Sequence, residues 1–326
     1  MKRFLPTSIQ AITAILAALL ISCSEKEAPE SASNQDGPPK VQATNYPLAY
    51  FANRIAGDFI DLEFLAEGKG DPAFWNPTDD DILAFQSADL ILMNGASYEK
   101  WKETVTLPNS TVVDTTQAFS GEFLESEHGV THSHGPGEEA HSHGGTAFTT
   151  WMDFQQALWQ AEEVHAALVQ LLPEKETELA ENFDSLATDL ESLHSTFKQL
   201  GKDLAEKPFM ASHPVYQYFA RRYDINIDSV LWEPETVPDE EAMKELQGKL
   251  ANHPAKWMIW EGEPATESVD KLKALGISSL VVDPCGNAPE SGDWLSIMNG
   301  NAENLKKAVG EPTPEKPASD EEQTDQ

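Results

Sequence analysis

The sequence is poor in cysteine and in basic residues. Its 326 residues include two cysteines, Cys23 and Cys285, and 22 Lys and Arg against 55 Asp and Glu, so the formal net charge is −33. An anionic protein of this kind repels nucleic acid and attracts cations, and we expect no nucleic-acid partner. The motifs Gly-x-Ser-x-Gly and His-Glu-x-x-His and the phosphate-binding glycine loop do not occur. We therefore expect no enzymatic activity.

Long hydrophobic runs are also scarce, with one exception near the N-terminus. Residues 9–21 form an apolar run of about a dozen residues, too short to span a membrane comfortably. Because Lys2 and Arg3 precede it and small residues end it, residues 1–22 are predicted to be a secretory signal peptide. Leu20-Ile21-Ser22-Cys23 resembles a bacterial lipobox. This implies that Cys23 carries a lipid and anchors an exported protein to the membrane, facing the periplasm or the cell exterior; a signal anchor with a chance cysteine is the alternative.

Both ends of the remaining chain have the composition of disordered segments. Residues 23–40 are rich in Ser, Glu, Pro and Gly and are predicted to be a flexible tether, and residues 311–326 are predicted to be an acidic, disordered tail. With Cys23 lipidated, Cys285 is the one thiol left. We therefore expect no intramolecular disulfide and a fold that depends on its hydrophobic core.

A long amphipathic helix is predicted over residues 173–203. Its apolar residues recur at spacings of four and three: Leu179, Phe183, Leu186, Leu190, Leu193, Phe197 and Leu200. Pro173 suits the first turn, and no Gly or Pro interrupts the pattern before Gly201. At ~1.5 Å per residue the helix is roughly 45 Å long, which exceeds the width of a small domain. A two-stranded coiled coil is one interpretation. Strand patterns on both sides favour a helix that links two lobes.

Strand and helix patterns alternate before and after this helix. Residues 41–172 and 204–310 are therefore each predicted to form an α/β lobe, in which helices flank a mostly parallel sheet. In such sheets, ligands bind at the carboxyl ends of the strands. For two lobes joined by one helix, that place is the cleft between them.

Residues 121–145 interrupt the first lobe. They are rich in Gly, Glu and His with almost no apolar residues, so we predict a mobile loop. Five histidines lie within it: His128, His132, His134, His141 and His143. His-Ser-His occurs twice, and residues i and i+2 of an extended chain face the same side, so each pair is a candidate chelate for zinc, nickel or copper. The alternative is a solvated spacer.

Several short motifs resemble those of the zinc- and manganese-type solute-binding lipoproteins of bacterial ABC transporters, in the same order over about residues 41–309. In the first lobe they are Gly70-Asp71-Pro72-Ala73-Phe74-Trp75-Asn76-Pro77-Thr78 and Ala88-Asp89-Leu90-Ile91, followed by Asn94-Gly95 and Tyr98-Glu99. In the second lobe they are Ser212-His213 with Tyr216, Pro234-Glu235, Ile259-Trp260-Glu261 and Val282-Asp283-Pro284. The resemblance implies two α/β lobes joined by a long helix.

The resemblance also implies a function. Such proteins capture a divalent metal in the cleft, so Zn²⁺ is expected here, with Mn²⁺, Ni²⁺ or Cu as alternatives. The expected partners are the membrane subunits of an ABC permease, to which the protein delivers metal as a monomer. The family holds the metal with three His and one carboxylate or with two of each. His213 and Asp283 match two of these positions, whereas Ala73 and Thr149 stand at the other two.

A cleft metal would therefore need further ligands, because two ligands are too few for tight capture of zinc. Cys285 is a candidate soft ligand, and a buried small hydrophobic role is its alternative. Asp71 and Glu261 are further candidates. Two other functions stay open. One is a metal buffer or sensor that works through the His-rich segment, and the other is a family member whose cleft no longer binds metal.

Overall fold

The computed structural model describes residues 37–132 and 141–310, and it describes side chains except over residues 126–144. The predicted signal peptide, the lipidation site Cys23, most of the tether, His134 and the acidic tail all lie outside the described residues. Within the described ranges, no helix is long and apolar enough to cross a membrane.

The first lobe is built on a parallel four-stranded sheet. Its strands are β1 (Lys40–Ala43), β2 (Asp61–Glu63), β3 (Leu90–Met93) and β4 (Val112–Asp114), in the order β2-β1-β3-β4. Its helices are α1 (Tyr46–Ala56), α2 (Asp79–Gln86) and α3 (Phe154–Leu171). Leu90 and Leu92 of β3 belong to one core cluster, and Ile91 and Met93 belong to another. This strand is therefore apolar throughout because both faces of the sheet are covered.

A two-stranded antiparallel sheet lies between β4 and α3. Its strands are β5 (Glu125–His132) and β6 (His141–Thr146), with an irregularity between Ser126 and Val130. The expectation of a loop throughout residues 121–145 does not hold for these two segments. Backbone pairing is independent of side-chain polarity, and the β-branched Val130, Thr131 and Thr146 favour it. The apolar pattern that marks a buried strand is absent because these strands belong to neither main sheet.

The long helix α4 (Glu176–Asp203) follows a short 3-10 turn at Pro173–Lys175. Six apolar residues of its predicted stripe are fully buried: Leu179, Leu186, Leu190, Leu193, Phe197 and Leu200. It packs against α1 and α3 of the first lobe and against α5 (Gln217–Tyr223) and α8 (Trp294–Lys306) of the second. The stripe is thus buried within the chain itself. This confirms the prediction of two α/β lobes joined by a long helix.

The second lobe contains another parallel four-stranded sheet. Its strands are β7 (Pro208–Ala211), β8 (Asn226–Ser229), β9 (Trp257–Trp260) and β10 (Ser278–Val281), in the order β10-β9-β7-β8. Helices α6 (Glu240–Leu250) and α7 (Thr266–Ala274) complete the lobe together with α5 and α8. Because all four strands run in the same direction, their carboxyl ends lie along one edge of the sheet.

Hydrogen bonds join the two lobes beside the cleft. The Trp151 indole donates to the Pro284 carbonyl (2.7 Å), and the Tyr218 hydroxyl donates to the Ala147 carbonyl (2.9 Å). The Asn287 side-chain amide donates to the Gly70 carbonyl (2.9 Å). The lobes are therefore held together by direct bonds in addition to the shared helix α4.

Candidate metal centre

Four polar side chains follow the four strands of the second-lobe sheet. His213 comes shortly after β7, Glu233 after β8, Glu261 directly after β9 and Asp283 after β10. The carboxyl ends of these strands lie along one edge, so the four side chains are brought to the same wall of the cleft. The fold thus assembles this wall from residues that are far apart in the sequence.

His213, Glu233 and Glu261 form a compact group whose potential ligand atoms all lie within 4.8 Å of one another. The His213 Nδ1 atom is 3.6 Å from Glu261 Oε1 and 3.8 Å from Glu233 Oε1. Both distances are too long for hydrogen bonds. His213 is only 7 % exposed, and its Nδ1 has no hydrogen-bond partner in the described part of the chain. A cation placed between the His213 nitrogen and the two carboxylate oxygens would give this buried nitrogen the partner that it lacks.

The electrostatics of this group favour metal binding. Burial lowers the pKa of His213, which keeps the imidazole in the neutral form that coordinates metals. Burial is also the main reason that the pKa of Glu261 is raised to about 8, and repulsion from the Glu233, Asp71 and Asp283 carboxylates adds to it. A divalent cation would offset that repulsion. A metal ion at this group would therefore stabilise the ionised form of Glu261, which the surrounding carboxylates disfavour.

The group lies on the wall of a cavity of about 540 Å³ between the lobes. Five acidic residues line it: Asp71, Glu233, Glu235, Glu261 and Asp283. Among the described residues that line it, none is Lys or Arg. Aromatic side chains supply much of the opposite wall. The cavity therefore selects against anionic ligands and suits a cation.

The first lobe contributes little to the group. The Asp71 carboxylate lines the cavity but accepts a hydrogen bond from the Ala73 amide (2.9 Å) and lies outside the group. Ala73 is buried and carries no ligand atom. The Thr149 hydroxyl donates its hydrogen bond to the Val215 carbonyl. The ligand atoms that the structure brings together thus come from the second lobe.

Asp283 and Cys285 line the cavity, but neither belongs to the group in the described structure. The Asp283 side chain instead accepts a hydrogen bond from the Cys285 amide (2.6 Å). The Cys285 thiol is buried and donates to the Asn287 carbonyl (3.6 Å), and burial raises its pKa. The expected ligands Asp283 and Cys285 therefore lie on the cavity wall but outside the group, and metal binding by either residue stays a prediction.

Comparison with the models of known protein families assigns this chain to one of them. Residues 41–308 match the model of the family described as "ZnuA: Zinc-uptake complex component A periplasmic". The chain belongs to the ZnuA family. The match confirms the resemblance inferred from the sequence motifs, and it covers the chain apart from its two ends.

Curated relatives of this ZnuA-family chain share about a fifth of its residues. The zinc-binding lipoprotein AdcA of Streptococcus pneumoniae is 22% identical over 317 residues, which covers 93% of this chain and 61% of AdcA. The high-affinity zinc uptake system protein ZnuA of Bacillus subtilis is 22% identical over 311 residues, covering 89% and 94% of the two chains. The chain thus spans about three fifths of the length of AdcA but nearly all of the Bacillus protein.

Solved structures show the same fold. The metal-dependent lipoprotein YcdH from Bacillus subtilis superimposes with a TM-score of 0.70 at 19% identity, covering 82% of this chain and 98% of YcdH. The Zn(II)-bound ZnuA-like domain of AdcA from Streptococcus pneumoniae gives a TM-score of 0.70 at 20% identity, covering 84% and 99%. At these identities the comparison establishes the two-lobed fold.

Glu233 is the one member of the group that the sequence motifs did not indicate. Its signal was positional, because Glu233 follows β8 in the way that His213 follows β7 and Glu261 follows β9. The motif that resembles the family, Pro234-Glu235, begins one residue after Glu233 and contains the neighbouring acid Glu235. Glu233 lies beside His213 and Glu261 because the strands that precede these three residues, β8, β7 and β9, are adjacent in the sheet.

The His-rich segment, residues 121–145, is a second candidate metal site in this ZnuA-family chain. His128 and His132 lie on β5, and His141 and His143 lie on β6. His132 is paired with His141 in the antiparallel register, and His143 is paired with Val130. His134 lies outside the described residues. Metal binding by these five histidines stays a prediction.

Proposed function

We propose that this chain is a solute-binding protein that captures a divalent metal ion, zinc in the first place, in the cleft between its two lobes. The observation that carries the proposal is the buried, unpartnered His213 Nδ1 facing the Glu233 and Glu261 carboxylates. Membership of a family described by zinc uptake supports the choice of metal, as do relatives named for zinc binding and zinc uptake. Mn²⁺, Ni²⁺ and Cu are the alternatives to test.

In this proposal His213, Glu233 and Glu261 are the protein ligands. Neutral imidazole and ionised carboxylates are ligands that zinc accepts, and three protein ligands with one open position are usual at sites where zinc is not purely structural. The partners are the membrane subunits of an ABC permease, which would receive the metal from the cleft. The protein is exported, acts as a monomer, has no enzymatic activity and is anchored through lipid on Cys23.

The test separates the cleft from the His-rich segment. The loop-substituted chain is the full-length protein in which His128, His132, His134, His141 and His143 are replaced by Ser. We expect it to bind one zinc ion in isothermal titration calorimetry. Adding His213→Ala should lower the affinity by at least about tenfold, because it removes a ligand. The matched control is His253→Asn, since His253 lies outside the cavity and bonds to the Phe209 carbonyl (2.7 Å).

Unchanged affinity after His213→Ala would exclude the cleft site. A second candidate function, a metal buffer or sensor, rests on the cross-strand pairing of His132 with His141. If zinc binds the unaltered protein but not the loop-substituted chain, this second function is supported. If neither binds zinc, Mn²⁺, Ni²⁺ and Cu are titrated in the same way, and binding of none of them would support a family member whose cleft no longer binds metal.

A further inference from the structure

The loop before α2 brings one acidic side chain of the first lobe to the cavity. This residue is Asp71, which lies two positions before the buried Ala73. Its Oδ1 atom accepts a hydrogen bond from the Ala73 amide (2.9 Å), and this bond orients the carboxylate within a local turn. Asp71 is exposed and lines the cavity. An ion in the cleft can therefore reach its carboxylate.

The second oxygen of Asp71, Oδ2, is available to such an ion. Among the described residues it takes part in neither a hydrogen bond nor an ion pair. Lys100 is a cation of the same lobe, but its ammonium group lies over the Phe74 ring, 4.0 Å from the ring centroid. The negative charge of Asp71 is thus not neutralised by a salt bridge within the described structure.

A side chain of the second lobe holds the Asp71 loop beside the cavity. The Asn287 amide group donates to the Gly70 carbonyl (2.9 Å), and its oxygen accepts a hydrogen bond from the Gly68 amide (3.4 Å). Asn287 itself lines the cavity. Two bonds from one side chain tie the backbone just before Asp71 to the second lobe. The loop is therefore fixed relative to the lobe that carries His213, Glu233 and Glu261.

The charge of Asp71 acts on this group across the cavity. Burial lowers the pKa of His213, and the Asp71 carboxylate is the charged group that acts against this effect. The pKa of Glu261 is raised by burial first, then by repulsion from Glu233 and from Asp71. Asp71 lies outside the 4.8 Å group in the metal-free chain, in which the carboxylates repel one another. A divalent cation would remove that repulsion and attract all of them.

We propose that Asp71 is a fourth ligand of the cleft metal, so that the ion is held by the second-lobe group and by one carboxylate of the first lobe. This inference rests on the proposed function, because Asp71 would fill the coordination position that His213, Glu233 and Glu261 leave open. It would take the part that the family resemblance gives to a histidine at the position of Ala73. A metal bound in this way bridges the two lobes.

The first experiment compares Asp71→Asn with Glu235→Gln in the loop-substituted chain by zinc titration calorimetry. Asparagine keeps an oxygen that can accept the hydrogen bond of the Ala73 amide, so the turn is retained while the charge is lost. We expect Asp71→Asn to lower the zinc affinity by at least about tenfold. Glu235→Gln removes a carboxylate from the same cavity outside the group and should have a smaller effect.

Cobalt(II) spectroscopy of the same variants separates a ligand from a nearby charge. The visible absorption of bound Co²⁺ depends on the atoms that coordinate it and on their geometry. At saturating Co²⁺, Asp71→Asn should therefore change the position or the intensity of the visible bands. Glu235→Gln is the matched control and should leave the spectrum of the parent chain unchanged.

The outcomes separate this inference from the proposed function. If Asp71→Asn binds zinc as the parent does, or keeps the parent cobalt spectrum, Asp71 is not a ligand and this inference fails. The proposed function still stands in that case if His213→Ala lowers zinc affinity. If the loop-substituted chain unfolds cooperatively on heating but binds neither zinc nor cobalt, both proposals fail.

Discussion

Glu233 and Glu235 offer a direct comparison at the level of single residues. Both line the cleft, but only Glu233 lies in the group with His213 and Glu261. Glu233→Gln in the loop-substituted chain should lower zinc affinity by at least about tenfold, because an amide is a weaker ligand and carries no charge. Glu235→Gln removes the same charge from the same cavity outside the group.

Titration calorimetry of the two variants checks this prediction. A loss for Glu235→Gln as large as that for Glu233→Gln would mean that the cavity attracts zinc through its net charge and not through particular ligands. A loss confined to Glu233→Gln would support direct coordination.

Glu261 gives a prediction for the dependence on pH. Its pKa is about 8 in the folded chain against an ordinary value of 4.5, so the metal-free folded state binds more protons than the unfolded state between these values. The free energy of unfolding should therefore fall as pH rises from about 4.5 to about 8. Zinc needs the ionised carboxylate, so binding at pH 7 should release about one proton.

Calorimetry in two buffers of different ionisation enthalpy measures that proton. The loop-substituted chain removes the contribution of the loop histidines, and Glu261→Gln is the control in which the released proton should disappear. Zinc binding in the cleft without proton release at pH 7 would show that Glu261 is already ionised, contrary to the raised pKa.

At this scale the sequence predicted part of the proposed site. His213 was a candidate because a His after a strand and before Pro214 is a usual position for a functional side chain. Glu261 was a candidate, whereas Glu233 was missed. Asp283 was an expected ligand and Cys285 a candidate, and metal binding by either stays a prediction. In the described structure the Asp283 carboxylate accepts a hydrogen bond from the Cys285 amide, and the Cys285 thiol donates one to the Asn287 carbonyl. These bonds depend on the conformation of the loop, which includes a positive φ at Cys285 (54°). No sequence pattern predicts that conformation.

Two glycines in helices show how packing between elements overrides helix propensity. Gly201 lies near the end of α4, where a Cβ atom would overlap with the Tyr223 carbonyl oxygen of α5. Gly201→Ala should therefore lower the free energy of unfolding by about 1–3 kcal/mol, although alanine favours helices. Gly248 in α6 has open space around it, so Gly248→Ala should raise the free energy of unfolding by about 0.5–1 kcal/mol.

Urea unfolding of both variants tests the contrast. A stabilising effect of Gly201→Ala would show that α4 and α5 separate easily, and then α4 would not hold the second lobe firmly. The spacing of apolar residues in the sequence predicted α4. It did not predict the close approach of α5 at Gly201, because that contact involves residues that are distant in the sequence.

The whole molecule is held by α4 and by bonds across the cleft, which bears on how the lobes move. Trp151, Tyr218 and Asn287 each donate a hydrogen bond from one lobe to the other. A rigid linking helix also restricts hinge motion more than a flexible linker does. We therefore expect zinc binding to leave the radius of gyration of the loop-substituted chain unchanged within the error of small-angle X-ray scattering.

The control for this measurement is the His213→Ala variant in the same background, which should not respond to zinc. A clear decrease of the radius of gyration on adding zinc, present in the parent and absent in the variant, would contradict the prediction. It would show that the lobes close around the metal as on a hinge.

Apart from β5 and β6, the sequence by itself determined the succession of strands and helices along the chain, the two-lobed α/β fold and the linking helix. These follow from short-range periodicity, since an apolar stripe of period 3.6 or a continuous apolar run is visible along the chain. Only the tertiary structure decided which side chains meet in the cleft. His213, Glu233 and Glu261 come from loops after three neighbouring strands. Their proximity is set by strand order and loop conformation, both of which depend on contacts between distant residues.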